Sequence, residues 1–260
     1  MDAPSSIRRP PPILMPMLLL CAALSPAAGH SQTVMTAPSD RATATAPRIS
    51  GSLSLVSDYR FRGLSRTDIG PALQPFVQLD TRPGIFASAW ASNVSSLNGA
   101  TAEVDISAGW SGTIGAFNSS AGVIGYLYPG ATRADTVELF GWIGLPIGPV
   151  TTSLGVNWSP DQANLGRSNR YAFAGLSAAM PGRPITLKAN VGNERGGLVQ
   201  DQTGRTTTKW DWQVGASYSA SVVTLEVAYV GTDLPARDAL GNRTNRLGQD
   251  GVVFSFSALF

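Results

Sequence analysis

The chain has 260 residues, 43% of them hydrophobic, with 19 basic and 17 acidic side chains giving a formal charge of +2. This suits one barrel or one large globular domain rather than several domains. A charge so nearly balanced argues against a nucleic-acid partner, which leaves a basic footprint.

At the start, Arg8 and Arg9 precede an apolar run from Ile13 to Leu24, followed by Ser25, Pro26, Ala27, Ala28 and Gly29. A basic region, an apolar core and a small-residue zone in this order predict a signal peptide over residues 1–29, cleaved near Gly29 to Ser31. The alternative, an uncleaved helical anchor, is disfavoured because the run falls short of the roughly 18 apolar residues a spanning helix needs. No later segment is longer. The sole cysteine, Cys21, lies inside the run behind Leu20, where a lipoprotein signal needs a small residue. It leaves with the leader, so the mature chain has no disulfide. The only histidine, His30, sits at the cleavage point, and 17 basic and 16 acidic residues remain beyond Gly29. Residues 30–48, mainly Ala, Thr, Ser and Pro, bury too little apolar surface to order themselves and read as a flexible periplasmic lead-in.

From Ile49 the texture changes to short alternating segments punctuated by Gly, Pro, Asn and Asp, which predicts strands. Ile49, Leu53, Leu55, Tyr59 and Phe61 share one parity, and Ser50, Ser52, Ser54, Asp58, Arg60 and Arg62 the other. Side chains alternate across a strand, so one face is oily and the other polar. Val104, Ile106, Ala108 and Trp110 oppose Glu103, Asp105, Ser107 and Gly109 in the same way. So do Leu154, Val156 and Trp158 against Ser153, Gly155 and Asn157, and Trp212, Val214, Ala216 and Tyr218 against Asp211, Gln213, Ser217 and Ser219. About twelve strands follow, over residues 49–61, 72–81, 84–94, 102–112, 119–128, 135–144, 150–159, 169–179, 185–194, 209–219, 222–232 and 250–260. Most are near the length of a tilted membrane-spanning strand, about 9 to 11 residues. The expected fold is all-β: a closed antiparallel transmembrane β-barrel over residues 49–260.

Connections after even strands are short, such as Arg82 with Pro83 and Ala220 with Ser221. Those after odd strands are mostly longer: Pro160 to Ser168, Arg195 to Thr208 and Asp233 to Gln249. Outer-membrane barrels have short periplasmic turns and longer extracellular loops, so both termini are expected in the periplasm. This topology gathers Tyr59, Phe61, Trp158, Trp210, Trp212 and Tyr229 near the outer interface, and Trp110, Tyr218 and Phe260 near the inner one. Three places fit poorly. If Glu138 faces inward, it takes Phe140 and Trp142 with it. Residues 84–94 carry bulky groups, Phe86 and Trp90, on one parity. Pro75 lies within a strand although it cannot donate to the ladder.

The last strand places Val252, Phe254, Phe256, Ala258 and Phe260 on one parity, with an aromatic as the final residue. This resembles the C-terminal signal through which outer-membrane proteins engage the barrel-assembly machinery, and makes Phe254, Phe256 and Phe260 its candidate residues. Further upstream, Val56 to Ser65 (Val-Ser-Asp-Tyr-Arg-Phe-Arg-Gly-Leu-Ser), followed by Pro71, Ala72, Leu73 and Gln74, resembles the opening signature of the TorF family of porins. Trp90 to Val94 and Tyr126 to Gly130 look like later blocks of that family. The resemblance covers most of the mature chain, most specifically residues 54–94. It implies an outer-membrane barrel acting as a porin, with no substrate and no site residues to carry over.

With His30 and Cys21 both outside the barrel, Ser-His, Cys-His and histidine-ligated metal chemistry have no residues to use there. Carboxylate-only catalysis through Asp58, Glu103, Asp105, Glu138, Asp211 or Glu226 competes with the simpler reading that these groups pair with lumen arginines. No catalytic residue, metal ligand or cofactor is therefore expected, and the protein reads as a non-enzyme.

The polar interior remains. Candidate lumen and selectivity residues are Asp58, Arg60, Arg62, Gln74, Gln78, Glu103, Asp105, Glu138, Lys188, Asp211 and Glu226, with Asp80, Asn190 and Gln213 beside them. Such groups set solute selectivity in pores. The alternative is an internal lattice of ion pairs that stiffens and plugs the barrel. About twelve strands lie between a filled barrel and an open channel. The functional expectation is an outer-membrane, porin-like channel for small hydrophilic solutes or ions, with membrane lipid and the assembly machinery as its other partners. The competing expectation is a narrow or plugged barrel that acts structurally or binds partners through its loops. Arg60 and Arg62, read as strand residues near the outer mouth, are expected to attract anions, unless Asp58 beside them neutralises one. Replacing both with Ala should then shift the reversal potential toward cations.

Overall fold

The computed structural model describes residues 47–200, 206–234 and 246–260. The expected leader over residues 1–29 and most of the expected lead-in over 30–48 lie outside them. A single sheet closes on itself. Its strands are β1 (Arg48–Val56), β4 (Ala72–Asp80), β5 (Ile85–Leu97), β6 (Ala100–Ile114), β7 (Phe117–Leu127) and β8 (Thr136–Ile147). They continue as β9 (Val150–Ser159), β10 (Asn169–Ala179), β11 (Ile185–Gln200), β12 (Thr206–Ala220), β13 (Val223–Thr232) and β14 (Gly251–Leu259). Two short strands, β2 (Arg60–Phe61) and β3 (Leu64–Ser65), form a separate hairpin, and one 3-10 turn spans Arg246–Gly248.

Every barrel strand pairs antiparallel with its neighbours, and β1 joins β4 on one side and β14 on the other. The expected closed 12-stranded antiparallel barrel is the observed one. Closure satisfies the backbone groups that an open sheet would expose at its edges. At the seam, Gly51 and Phe260 exchange N–H···O bonds of 2.9 and 3.0 Å.

The oily and polar parities become the outer and inner faces. Leu53, Leu55, Leu73, Val77, Leu154, Val156, Trp158, Val214, Tyr218, Phe254 and Phe256 are exposed on the outside, while Ser52, Ser54, Gln74, Gln78, Glu103, Asp105, Glu138 and Asp211 are buried within. An apolar outer wall around a polar interior is the reverse of a water-soluble fold and suits hydrocarbon surroundings. As expected, β4–β5, β6–β7, β8–β9, β10–β11 and β12–β13 turn tightly at the end where β1 begins and β14 finishes. At the other end β5–β6 departs from the expected longer connection, because both strands extend until only Asn98 and Gly99 separate them.

Several details depart from the sequence reading. The first strand stops at Val56 rather than 61, and Tyr59 and Phe61 are buried inside the barrel instead of belonging to an outer aromatic girdle. Residues 195–208 are not one loop, because β11 and β12 extend into them, with a register shift between Arg195 and Gln200. The poorly fitting aromatics all face inward: Phe86, Trp90, Phe140 and Trp142 share the parity of Ser92 and Glu138. Pro75 is tolerated because the β4–β5 ladder begins only at Phe76. Above it the Asn93 carboxamide substitutes for the ladder, accepting from Leu73 N at 2.9 Å and donating to Pro71 O at 3.0 Å.

Candidate functional site

The segment between β1 and β4 does not arch over the barrel mouth. It turns into the lumen. Its hairpin pairs Arg60 with Ser65 and Phe61 with Leu64, leaving Arg62 and Gly63 as the two turn residues with φ of 49° and 81°. Positive φ at both central positions defines the type I′ turn that suits a two-residue hairpin. Glycine takes this conformation freely. Arginine does so at a cost of about 1–2 kcal/mol, which the contacts at its tip offset. A Cβ on Gly63 would lie 2.3 Å from the Thr232 methyl and 2.8 Å from the Gly231 carbonyl, so the turn presses directly against the wall.

The hairpin's apolar residues meet one side of the barrel. Tyr59 lies edge-on to Trp90 at 5.2 Å, and Phe61 edge-on to Tyr126 at 5.6 Å. With Val56, Ala72, Phe76, Val94, Ala100 and Tyr128 they form a hydrophobic core inside the barrel. This explains Trp90 on the polar parity: the wall supplies half of a core and the segment supplies the other half, whereas Phe86 and Phe140 lie against each other at 6.4 Å and Trp142 packs against Tyr171 and Phe173. Tyr59 Oη donates to Glu103 Oε1 at 3.1 Å. Burial, and then the carboxylates of Glu103 and Asp105, raise the Tyr59 phenol well above its ordinary pKa, keeping it a donor.

The tip meets the other side. Arg62 Nη1 donates to Glu194 Oε1 and Nη2 to Glu138 Oε1, each at 2.6 Å, with all three side chains almost wholly buried. Its guanidinium carbon stands 4.4 Å from the Tyr171 ring centre. Burial works against the charge on Arg62, but Glu138 and Glu194 outweigh it and hold its pKa well above the ordinary value. The carboxylates are themselves held by the wall. Glu138 accepts from Tyr126 Oη, Asn157 Nδ2 and Ser159 Oγ, and Glu194 from Lys209 Nζ and Asn169 Nδ2. Lys209 Nζ also donates to Arg62 O at 2.6 Å.

The ring that flanks Arg62 is placed by a missing side chain. Tyr171 crosses Gly192, where a Cβ would lie 2.0 Å from the phenol oxygen, and Tyr171 Oη donates to Asp211 Oδ1 at 2.9 Å. One pleat further, Phe173 covers Gly155 in the same manner. At the base of the segment, Asp58 accepts from Arg60 Nε and Ser65 Oγ, both at 2.5 Å, and from Thr67 Oγ1 at 3.2 Å. Arg60 also reaches the carbonyls of Gly63, Leu247 and Gln249.

All the expected lumen residues face inward, but they do not form one ring. Asp58, Arg60 and Arg62 lie on the in-folded segment and not on a wall strand, which corrects their assignment to the pleat at the outer mouth. Glu103, Glu138 and Asp211 engage that segment or its supports, with Asp105 beside Glu103 on the same face. Gln74 bonds Ser92, and Gln78 bonds Asp80. Lys188 and Glu226 form a separate pair of 2.5 Å between β11 and β13 in the half of the barrel nearer the tight turns, with Gln213 beside it. The sequence reading missed Glu194, Lys209, Tyr171 and Tyr126. Glu194 shares the parity of Lys188 and Asn190, and Lys209 that of Asp211, so continuing the alternation to the strand ends would have found both.

The sequence matches over residues 41–260 the model of a family described as "Bacterial protein of unknown function (Gcw_chp)". The chain belongs to the Gcw_chp family. A search of curated proteins finds no match by sequence. The Gcw_chp chain is similar in fold to the KdgM porin, with a TM-score of 0.54 at 7% identity, covering 81% of this chain and 98% of that one. It is similar to the NanC porin, with a TM-score of 0.51 at 7% identity over 82% of this chain and 98% of that one. A second KdgM structure, "in complex with disordered oligogalacturonate", aligns with a TM-score of 0.52 at 7% identity over 83% and 98%. The likeness to these porins is one of fold. The residues that resemble the TorF opening signature, Val56 to Ser65 and Pro71 to Gln74, cover the end of β1, the in-folded hairpin and the start of β4.

Proposed function

We propose that the protein is an outer-membrane channel for small hydrophilic solutes or ions, with both termini in the periplasm and its outer half narrowed by the hairpin of residues 57–70. The observation that carries this reading is the closed barrel with an oily outside and a polar interior that includes, apart from the hairpin, Lys188, Gln213 and Glu226. Rings of polar and charged groups in such a lumen select solutes. The TorF resemblance over residues 54–94 points the same way, and the fold shared with KdgM and NanC supports a porin. No enzymatic step is assigned. Phe254, Phe256 and Phe260 are proposed to engage the barrel-assembly machinery, and the outer wall to contact membrane lipid.

A second reading is favoured by the depth of the plug: Arg62 is only 1% exposed, and Glu103, Glu138 and Tyr171 are as deeply buried. In that case the barrel is a non-conducting wall element whose loops contact partners. Protein refolded from detergent and inserted into planar bilayers separates the two. Discrete conductance steps from wild-type protein support the channel. Heat-modifiable folded protein that never conducts supports the plugged barrel, and protein that stays folded and monodisperse without detergent removes both.

A further inference from the structure

We infer that Glu138, Glu194 and the Tyr171 ring form a binding site for a guanidinium-bearing solute, a site that Arg62 fills in the closed barrel. The inference rests on the channel reading and names the class of solute the channel prefers.

The site is built by the wall, independently of its occupant. Tyr126, Asn157 and Ser159 fix Glu138, while Lys209 and Asn169 fix Glu194. Tyr171 is seated over Gly192 and tied to Asp211. Removing the hairpin removes none of these bonds. What the wall then presents is two carboxylates spaced for the two ends of one planar fork, with an aromatic face beside it. That combination suits a guanidinium, which bonds carboxylates through its fork and stacks on rings, better than an ammonium, which acts as a point charge.

The occupant has the character of a stand-in. Arg62 arrives on a turn where its own backbone has positive φ, and its Nε finds no hydrogen-bond partner. Next to the tip, Asp211 is 4% exposed and uses one oxygen for Tyr171 while its other oxygen has no hydrogen-bond partner. The charge is distributed in the same sense. Among the described residues the lumen wall around the plug carries Glu103, Asp105, Glu138, Glu194 and Asp211 against Lys209, while the hairpin segment brings in Arg60, Arg62 and Arg66 against Asp58 and Asp68. An acidic wall closed by a basic plug attracts cations when the plug withdraws. On this reading the acidic wall, rather than Arg60 and Arg62, sets the preferred charge.

The test uses planar bilayers and methylguanidinium chloride. In a potassium chloride gradient the wild-type channel is expected to be cation-selective, and an anion-selective reversal potential would overturn the inference without touching the channel reading. Arg62→Ala, checked for folding by heat-modifiable migration, is expected to conduct several-fold more than wild type and to be blocked by at least about half at about 1 mM methylguanidinium. Adding Glu138→Gln and Glu194→Gln should abolish the block. A block that is absent in Arg62→Ala, or that survives the loss of both carboxylates, refutes the site. If neither protein conducts, the channel reading fails, and methylguanidinium can still be scored by whether it raises the unfolding temperature of Arg62→Ala but not of the triple variant. If Arg62→Ala does not fold, Arg62→Gln takes its place in every arm.

Discussion

Gly51 and Phe260 exchange their backbone hydrogen bonds, and the Phe260 ring lies where a side chain on residue 51 would begin: a Cβ there would stand 2.5 Å from the ring and 2.7 Å from the Phe76 carbonyl. The final aromatic thus closes the seam by covering backbone as well as by pairing. Gly51→Val is expected to destabilise the barrel by about 1–3 kcal/mol through overpacking, read as a lower urea midpoint of the heat-modifiable form in vesicles. Adding Phe260→Ala should relieve part of that cost, because the two groups compete for one space. Strictly additive effects in the double-mutant cycle would mean that they do not.

Tyr171 offers a related case inside the lumen. A methyl at Gly192 would lie 2.0 Å from its phenol oxygen, so Gly192→Ala must move the ring and loosen both the bond to Asp211 and the stacking on Arg62. A loss of about 1–3 kcal/mol is expected, together with higher conductance if the barrel is a channel. Wild-type stability in vesicle unfolding would show that Tyr171 is not locked in place.

The wall was legible in the sequence because a barrel strand is an alternation with one oily face. The spans 150–159 and 169–179 coincide with β9 and β10. The plug was not legible, for a reason of geometry. A hairpin alternates with the same period as a strand, so Tyr59 and Phe61 extended the oily parity of Leu53 and Leu55 without a break, and periodicity cannot show where the chain leaves the wall. Two signs were present. Arg62 with Gly63 sits between apolar residues where an I′ turn fits. Trp90 lies on the polar parity, where an aromatic marks something apolar entering the lumen.

Arg60 holds the base of that segment, donating to Asp58 and to the carbonyls of Gly63, Leu247 and Gln249. Arg60→Ala removes all of these donors while leaving the tip contacts of Arg62 in place. The segment is expected to open more often, and folded protein in detergent to be cut faster by trypsin after Arg62 or Arg66, since cleavage reports local opening. Cleavage at the wild-type rate would assign the anchoring to the inner core around Tyr59 and Phe61.

Lys188 and Glu226 stand apart from the plug. Their 2.5 Å pair crosses the inner face of β12 between Gly215 and Ser217, and on the channel reading it lines this half of the ion path. In a salt gradient across a bilayer, Lys188→Met leaves the Glu226 carboxylate without its cation and is expected to shift the reversal potential toward cations. Glu226→Gln leaves the ammonium and should shift it the opposite way. The two shifts have opposite sign because each variant uncovers one member of the same pair, whereas a general loosening of the wall would move both in one direction. Reversal potentials equal to wild type in both variants would place the pair off the ion path and return it to a purely structural role.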